Sequence, residues 1–209
     1  MQISKSTFQD IFDVSRETLG KLEQYEKLLV KWNKSINLVS KGTISDLWHR
    51  HFADSAQLLA SAPLSARIWL DFGSGAGFPA LVCAILAQEQ HPGLKMSLVE
   101  SDQRKSAFLM TVAHELALDV NVIPERIEKL KEVKADIISA RAVAALPDLL
   151  ELSAPHRQES TILLFPKGNS YESELTKAKE NWHIEVEIMQ SLTDSGSVIL
   201  KIKDTKRAN

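Results

Sequence analysis

Leu19, Leu22, Leu28, Leu29 and Trp32 recur at near-helical spacing, and Ile44, Leu47, Trp48, His51, Phe52 and Ser55 repeat the pattern. The chain before residue 62 is therefore predicted to be mainly helical. Ala62-Pro63-Leu64-Ser65 interrupts that rhythm. Beyond it, short apolar runs at 68–72, 96–99, 120–123, 137–139 and 161–165 alternate with helical patterns near 80–90, 103–117, 146–154 and 170–181. Strand and helix in alternation predict an α/β fold, a doubly wound Rossmann-like sheet, mostly parallel, with helices on both faces. Two further strand-like runs, 184–189 and 198–202, have no helix between them, which predicts an antiparallel C-terminal hairpin. The layout expected is an N-terminal helical extension, 1–62, and a sheet domain, 63–209, that forms one compact unit. Ligands of such sheets bind outside the carboxyl ends of the strands.

Composition narrows the class. With 44% hydrophobic and 25% charged residues, the 209-residue chain reads as an ordinary globular protein. Its longest apolar run, 80–87, is far below the ~18 residues of a membrane span, and its first residues lack a secretory layout. A cytoplasmic protein with no membrane contact is expected. A single cysteine, Cys83, excludes an internal disulfide and a cysteine-based zinc cluster, and no metal is expected. The net charge of −2 divides into +2 for residues 1–70, −4 for 71–160 and 0 for 161–209, counting Lys and Arg against Asp and Glu. The N-terminal third, with Lys27, Lys31, Lys34, Lys41, Arg50 and His51 near Trp32 and Trp48, is the better polyanion-facing surface, although a solvated helix face would look the same.

Candidate chemistry gathers after the first predicted strand, where Asp71-Phe72 runs into Gly73-Ser74-Gly75-Ala76-Gly77-Phe78-Pro79. Glycines there supply positive φ and let backbone amides lie against a ligand. The spacing G-x-G-x-G departs from the dinucleotide fingerprint. An acidic strand residue before it resembles S-adenosylmethionine-dependent methyltransferases, whose cofactor has an amino-acid tail in place of a pyrophosphate. Asp71 is the candidate acceptor for the tail ammonium, with Gly75 in the close-approach turn. Glu100 ends the second strand 23 residues after Gly77, placed to accept both hydroxyls of a ribose.

The acceptor class follows by partial exclusion. Amino-nitrogen nucleobase methyltransferases carry an Asn/Asp-Pro-Pro-aromatic motif after the fourth strand, where this chain has Ser139-Ala140-Arg141-Ala142. Carbon-5 pyrimidine methyltransferases need a nucleophilic cysteine, but Cys83 falls inside an apolar helix. An acceptor with a free lone pair, such as guanine N7, needs only alignment with the sulfonium methyl. The residues alone do not single it out.

Two blocks are more specific than the loop. Leu29-Val30-Lys31-Trp32-Asn33-Lys34-Ser35-Ile36-Asn37-Leu38 and Arg50-His51-Phe52-Ala53-Asp54-Ser55 resemble the signatures of the bacterial 16S ribosomal RNA guanine-N7 methyltransferase family, RsmG, also called glucose-inhibited division protein B. Asp71 to Pro79, Glu100-Ser101, Arg126-Ile127-Glu128, Ser139 to Ala142 and Lys167-Gly168 follow in the family's order, so the resemblance spans almost the whole chain. It implies a class I methyltransferase that transfers a methyl group from S-adenosylmethionine to N7 of one guanine in the decoding region of 16S rRNA. The implied partner is the small ribosomal subunit, and the protein is expected to be a monomer. Carried over by position, Gly73, Phe78, Ile127, Glu128 and Arg141 are implied cofactor contacts. Lys31, Lys34, Arg50, His51 and Lys167 are the RNA-contact candidates.

Several roles stay open between two readings. Arg141, the one catalytic candidate in a positioning mechanism without an obligatory base, would hold the cofactor or donate to a guanine edge. Lys167 would meet an RNA phosphate or a carboxylate across the cleft, and His51 an RNA group or the core. Asp54 would orient Arg50 or touch RNA, while Trp32 and Asn33 read as scaffold. The chain departs from the family at Ala80, where glycine is common, and at Ser195-Gly196-Ser197-Val198, where many members have an Arg-His pair. A small-molecule or protein methyltransferase and a non-catalytic RNA-binding assembly factor are the rival readings.

Overall fold

A computed structural model describes residues 2–208. Seven strands form one sheet in the order β3-β2-β1-β4-β5-β7-β6. They are β1 (Ile68–Phe72), β2 (Lys95–Val99), β3 (Val120–Ile123), β4 (Ala135–Ala140), β5 (Arg157–Lys167), β6 (Trp182–Gln190) and β7 (Val198–Arg207). The first five pair in parallel, and β7 inserts antiparallel between β5 and β6. The expected C-terminal hairpin is therefore present, and β7 alone runs against the other strands. The order reverses beside β1, so the carboxyl ends of β1 and β4 flank the crevice where such sheets bind ligands.

Seven helices cover the sheet. They are α1 (Lys5–Phe12), α2 (Arg16–Trp32), α3 (Asp54–Leu59), α4 (Ala80–Gln90), α5 (Gln103–Glu115), α6 (Leu146–Ser153) and α7 (Tyr171–Lys179). One sheet face, with Trp69, Met96, Leu98 and Ile137, shares a core with α4, α5 and the N-terminal helices through Leu22, Tyr25, Leu29 and Phe108. The opposite face, with Leu70, Phe72, Ile138 and Phe165, packs under α6 and α7. The 62/63 boundary expected from the sequence falls between α3 and β1. The two parts nevertheless bury their apolar surface together.

Local differences from expectation have local causes. α1 escapes the periodicity because it spans eight residues, yet Ser4 and Thr7 close a reciprocal capping box on it. The pattern over 44–55 resolves into a 3-10 segment (Lys41–Asp46), a wide π-type turn (Trp48–Ala53) and then α3. β5 starts at Arg157, ahead of the apolar run, because Ala135 of β4 pairs with it across a register shift. No described helix is long and apolar enough to cross a membrane.

Candidate active site at the carboxyl ends of the strands

The chain leaves β1 in a turn whose three glycines all have positive φ, +58° at Gly73, +56° at Gly75 and +93° at Gly77. The three are not equivalent. A Cβ on Gly77 would collide with Leu81 and lie 2.6 Å from the Tyr25 hydroxyl, so that glycine serves packing against α4 and α2. A Cβ on Gly73 would lie 2.6 Å from Val143 Cγ2, in the loop after β4. The sequence assigns that space to a ligand, and the structure gives it to Val143. Over Gly75 an added Cβ meets only the Gly73 carbonyl, at 3.7 Å, so open ground lies above this residue. Tyr25 donates from below to the Ala76 carbonyl.

Glu100 braces the turn. Its Oε2 accepts from Gly75 N–H at 2.8 Å and its Oε1 from Asp102 N–H at 2.8 Å, which ties the ends of β1 and β2 together. Each carboxylate oxygen retains capacity for a second bond. Asp71 lies one layer deeper, 1% exposed. It accepts from Ser74 Oγ at 2.6 Å and from Ser139 Oγ at 2.5 Å, and Ser139 also accepts from Trp69 Nε1 at 2.8 Å. Burial raises the Asp71 carboxyl to about 6, against the lowering effect of both hydroxyls and of Arg141.

Arg141 follows β4 and turns toward the N-terminal helices. Its Nη1 is 3.2 Å from Asp54 Oδ2 and its Nη2 is 3.1 Å from His51 Nδ1, while its guanidinium lies 5.0 Å from the Phe78 ring centre. Asp54 thus orients Arg141, where the sequence offers Arg50. The π-type turn and the start of α3 deliver both partners, three residues apart. Asp54 Oδ1 also accepts from Gln57 Nε2 and Thr193 Oγ1, which brings in the loop between β6 and β7. His51 stacks on Phe78 and its Nε2 is 3.0 Å from Thr43 Oγ1. Burial, then Arg141 and Arg50, lower it to about 4, so it is neutral at physiological pH. These contacts fit the core reading of His51. Phe78 is only 3% exposed, and its ring carries Arg141 and His51.

Other expected residues fall around this centre. Ile127 and Glu128 lie on a 3-10 turn past β3, Ile127 partly buried and Glu128 exposed. Lys167, at the end of β5, bonds to Glu174 at 2.8 Å and to the Ala144 carbonyl at 2.9 Å, with its side chain 9% exposed. Of its two readings, the contact present here is the one to a carboxylate. Arg50 is exposed on a rim shared with Asp46 and Asp194. Lys31 and Lys34 are exposed at the end of α2. Asn33 caps α2, its Oδ1 accepting from Leu38 and Val39, as the scaffold reading expects. Cys83 is buried and its thiol is pushed up by desolvation, which leaves it inert.

A second cleft, of about 950 Å³, opens between the end of α2, the 33–45 segment and the start of α5. Its lining includes the cations Lys34, Lys41, Arg104 and Lys105, one carboxylate, Asp102, and the apolar Val30, Ile36 and Ile44. The sequence signal for this site was incomplete. Lys34 and Lys41 stand out in the charge distribution, but Arg104 and Lys105 lie in the acidic middle third and join them only through folding.

A family model described as rRNA small subunit methyltransferase G (GidB) matches residues 18–202. The chain belongs to this family. A member from Cereibacter sphaeroides is 51% identical over 91% of this chain and 93% of its own, and one from Rhodospirillum centenum is 47% identical over 94% and 89%. Both are called ribosomal RNA small subunit methyltransferase G. Solved methyltransferases share the fold at much lower identity. Mitomycin 7-O-methyltransferase aligns with TM-score 0.61 at 14% identity over all of this chain and 73% of its own. M. jannaschii TYW2 in complex with AdoMet aligns with TM-score 0.57 at 14% identity over 84% and 80%. Family membership makes this protein an S-adenosylmethionine-dependent methyltransferase of small-subunit rRNA.

Proposed function

We propose that this enzyme methylates N7 of one guanine in the decoding region of 16S rRNA, acting as a cytoplasmic monomer on the small ribosomal subunit. The observation that carries the placement of its chemistry is the turn after β1, where three positive-φ glycines border open ground at Gly75, with the braced carboxylate of Glu100 beside it and that of Asp71 one layer below. That cradle suits a cofactor with a zwitterionic tail. Asp71 would receive the ammonium directly or through water, with Gly75 and the Gly73 carbonyl at close approach. Glu100 would accept from the ribose with its remaining lone pairs, and Ile127 and Glu128 would flank the adenine. The bound cofactor supplies the methyl group as a sulfonium.

The protein's task is then to align and to exclude water. Guanine N7 already holds a lone pair, so no side chain has to remove a proton, in keeping with a centre whose imidazole is tied up at Arg141. Transfer moves positive charge onto the base, and a bare cation facing N7 would oppose it. Arg141 is held on Asp54, which favours a role toward the cofactor side, with Phe78 as its shelf. The cation-rimmed cleft beside α2 and α5 supports an RNA surface on the N-terminal side, with Lys31, Lys34 and Arg50 among its candidates.

Incubation with labelled S-adenosylmethionine and small subunits from cells lacking the enzyme tests this reading. Incorporation as N7-methylguanosine in 16S rRNA is expected, and label confined to protein or metabolites would reject it.

A further inference from the structure

The loop after β4, the end of β5 and the segment leading into β7 enclose a cleft of about 330 Å³, with Arg141, Ala144, Pro166, Lys167, Glu174 and Ser191 among its walls. It adjoins the glycine turn, because Val143 of the same loop packs on Gly73. The volume is on the order of ten water volumes, enough for one flat base.

Lys167 is the unusual wall. An ammonium has three protons, and the structure accounts for two, given to Ala144 O and Glu174 Oε2. The third has no acceptor among the described residues, although the side chain is 9% exposed. In the cleft that Lys167 lines, that proton is available to water or to a ligand that displaces it. Glu174 is itself fixed, by Leu146 N–H at 2.8 Å and Ser170 Oγ at 3.0 Å, so the pair is a rigid and electrically neutral unit. Arg141, the other cation of the cleft, is likewise matched by Asp54. The cleft can therefore offer a strong donor without a net positive field against a base that is gaining positive charge.

We propose that Lys167 reads the identity of the acceptor base by donating its third proton to the carbonyl oxygen at C6 of guanine, the atom beside N7. Adenine carries an amino group there, and donor would face donor. The proposal rests on the guanine-N7 reading above and gives it a specificity-determining residue.

The test uses small subunits reconstituted with guanine, inosine or 2-aminopurine at the methylated position, and the full-length enzyme. Inosine keeps the C6 oxygen and loses the 2-amino group. 2-Aminopurine keeps N7 and loses the oxygen. The wild type should lose roughly 10- to 100-fold in kcat/KM on 2-aminopurine, the range of one charge-assisted hydrogen bond, and little on inosine. Lys167→Met should slow on guanine by a similar factor and treat guanine and 2-aminopurine alike. Lys167→Gln, a neutral donor, should recover part of the preference, and urea unfolding of both variants verifies that each is folded. A merely structural lysine would lower all three rates together. A preference for guanine over 2-aminopurine that survives in Lys167→Met, or its absence from the wild type, overturns the assignment. If the wild type places no methyl on guanine N7, the underlying reading fails and takes this one with it.

Discussion

Arg141 and Asp54 stand 87 residues apart in the chain and 3.2 Å apart in space, a pair in which both side chains are at most 20% exposed. The contact joins the end of a central strand to the helical extension. Asp54→Asn should release Arg141 from its fixed direction and lower kcat by roughly tenfold or more, since misplaced groups at a positioning site are costly. It should also cost about 1–3 kcal/mol of stability, as removing one partner of a partly buried pair does. Steady-state kinetics and urea unfolding read the two effects, and unchanged kcat would show that Arg141 does not depend on Asp54.

The glycine turn separates a ligand position from a packing position. Gly75→Ala should fold with a penalty of about 1–2 kcal/mol for the left-handed backbone and bind S-adenosylmethionine at least tenfold more weakly. Gly77→Ala should destabilise more, because its Cβ meets Leu81 and Tyr25. Calorimetry and urea unfolding on both variants verify the contrast, and equal cofactor affinity for Gly75→Ala and wild type would displace the site.

Asp71 and His51 should give opposite pH slopes that mask each other. With the Asp71 carboxyl raised to about 6, the unfolded chain ionises first, so stability falls as pH rises from about 4 to about 6. With His51 lowered to about 4, the unfolded chain protonates first, so stability is lost as pH falls from about 6.5 to about 4. Asp71→Asn should unmask a rising stability over pH 4–6.5, and His51→Phe a falling one, each on the order of 1–3 kcal/mol. Urea midpoints at half-unit intervals would show it. If the Asp71 carboxylate holds the cofactor ammonium, wild-type affinity should also weaken about tenfold between pH 7 and pH 5, and Asp71→Asn should abolish that dependence.

The cationic cleft predicts a change confined to RNA. Lys34→Glu with Lys105→Glu should raise KM for small subunits and flatten its salt dependence by about one unit per lost phosphate contact. Cofactor affinity and folding should stay as in the wild type, because both side chains line this cleft and not the glycine turn. A salt slope equal to that of the wild type would assign the RNA to another face.

The strand and helix pattern was legible because the sheet interior is apolar in runs and α4 is apolar on all sides; the 80–90 helix and the 68–72 strand coincide with their structural bounds. That the glycine turn, Asp71 and Glu100 come together at the strand ends was legible because each ends or follows a strand that the pattern locates. What pattern could not give was partnership. His51, Asp54 and Arg141 meet only after the sheet forms, and a carboxylate four residues after an arginine suggests the wrong pair. Val143 filling the space over Gly73 likewise depends on a loop whose course no periodicity encodes, and the carboxylate that meets Lys167 is fixed as Glu174 only when α7 packs beside the end of β5.

Tyr25 of α2 supports the glycine turn through the Ala76 carbonyl, and its ring packs with Phe52 and Phe78. The helices that precede the sheet are thus a strut for the loop rather than a detachable module. A chain shortened to begin at β1 would keep every motif of the family's catalytic half and lose the floor on which they stand. Grafting another enzyme's substrate-recognition segment onto this sheet would require that segment to carry an aromatic prop of its own.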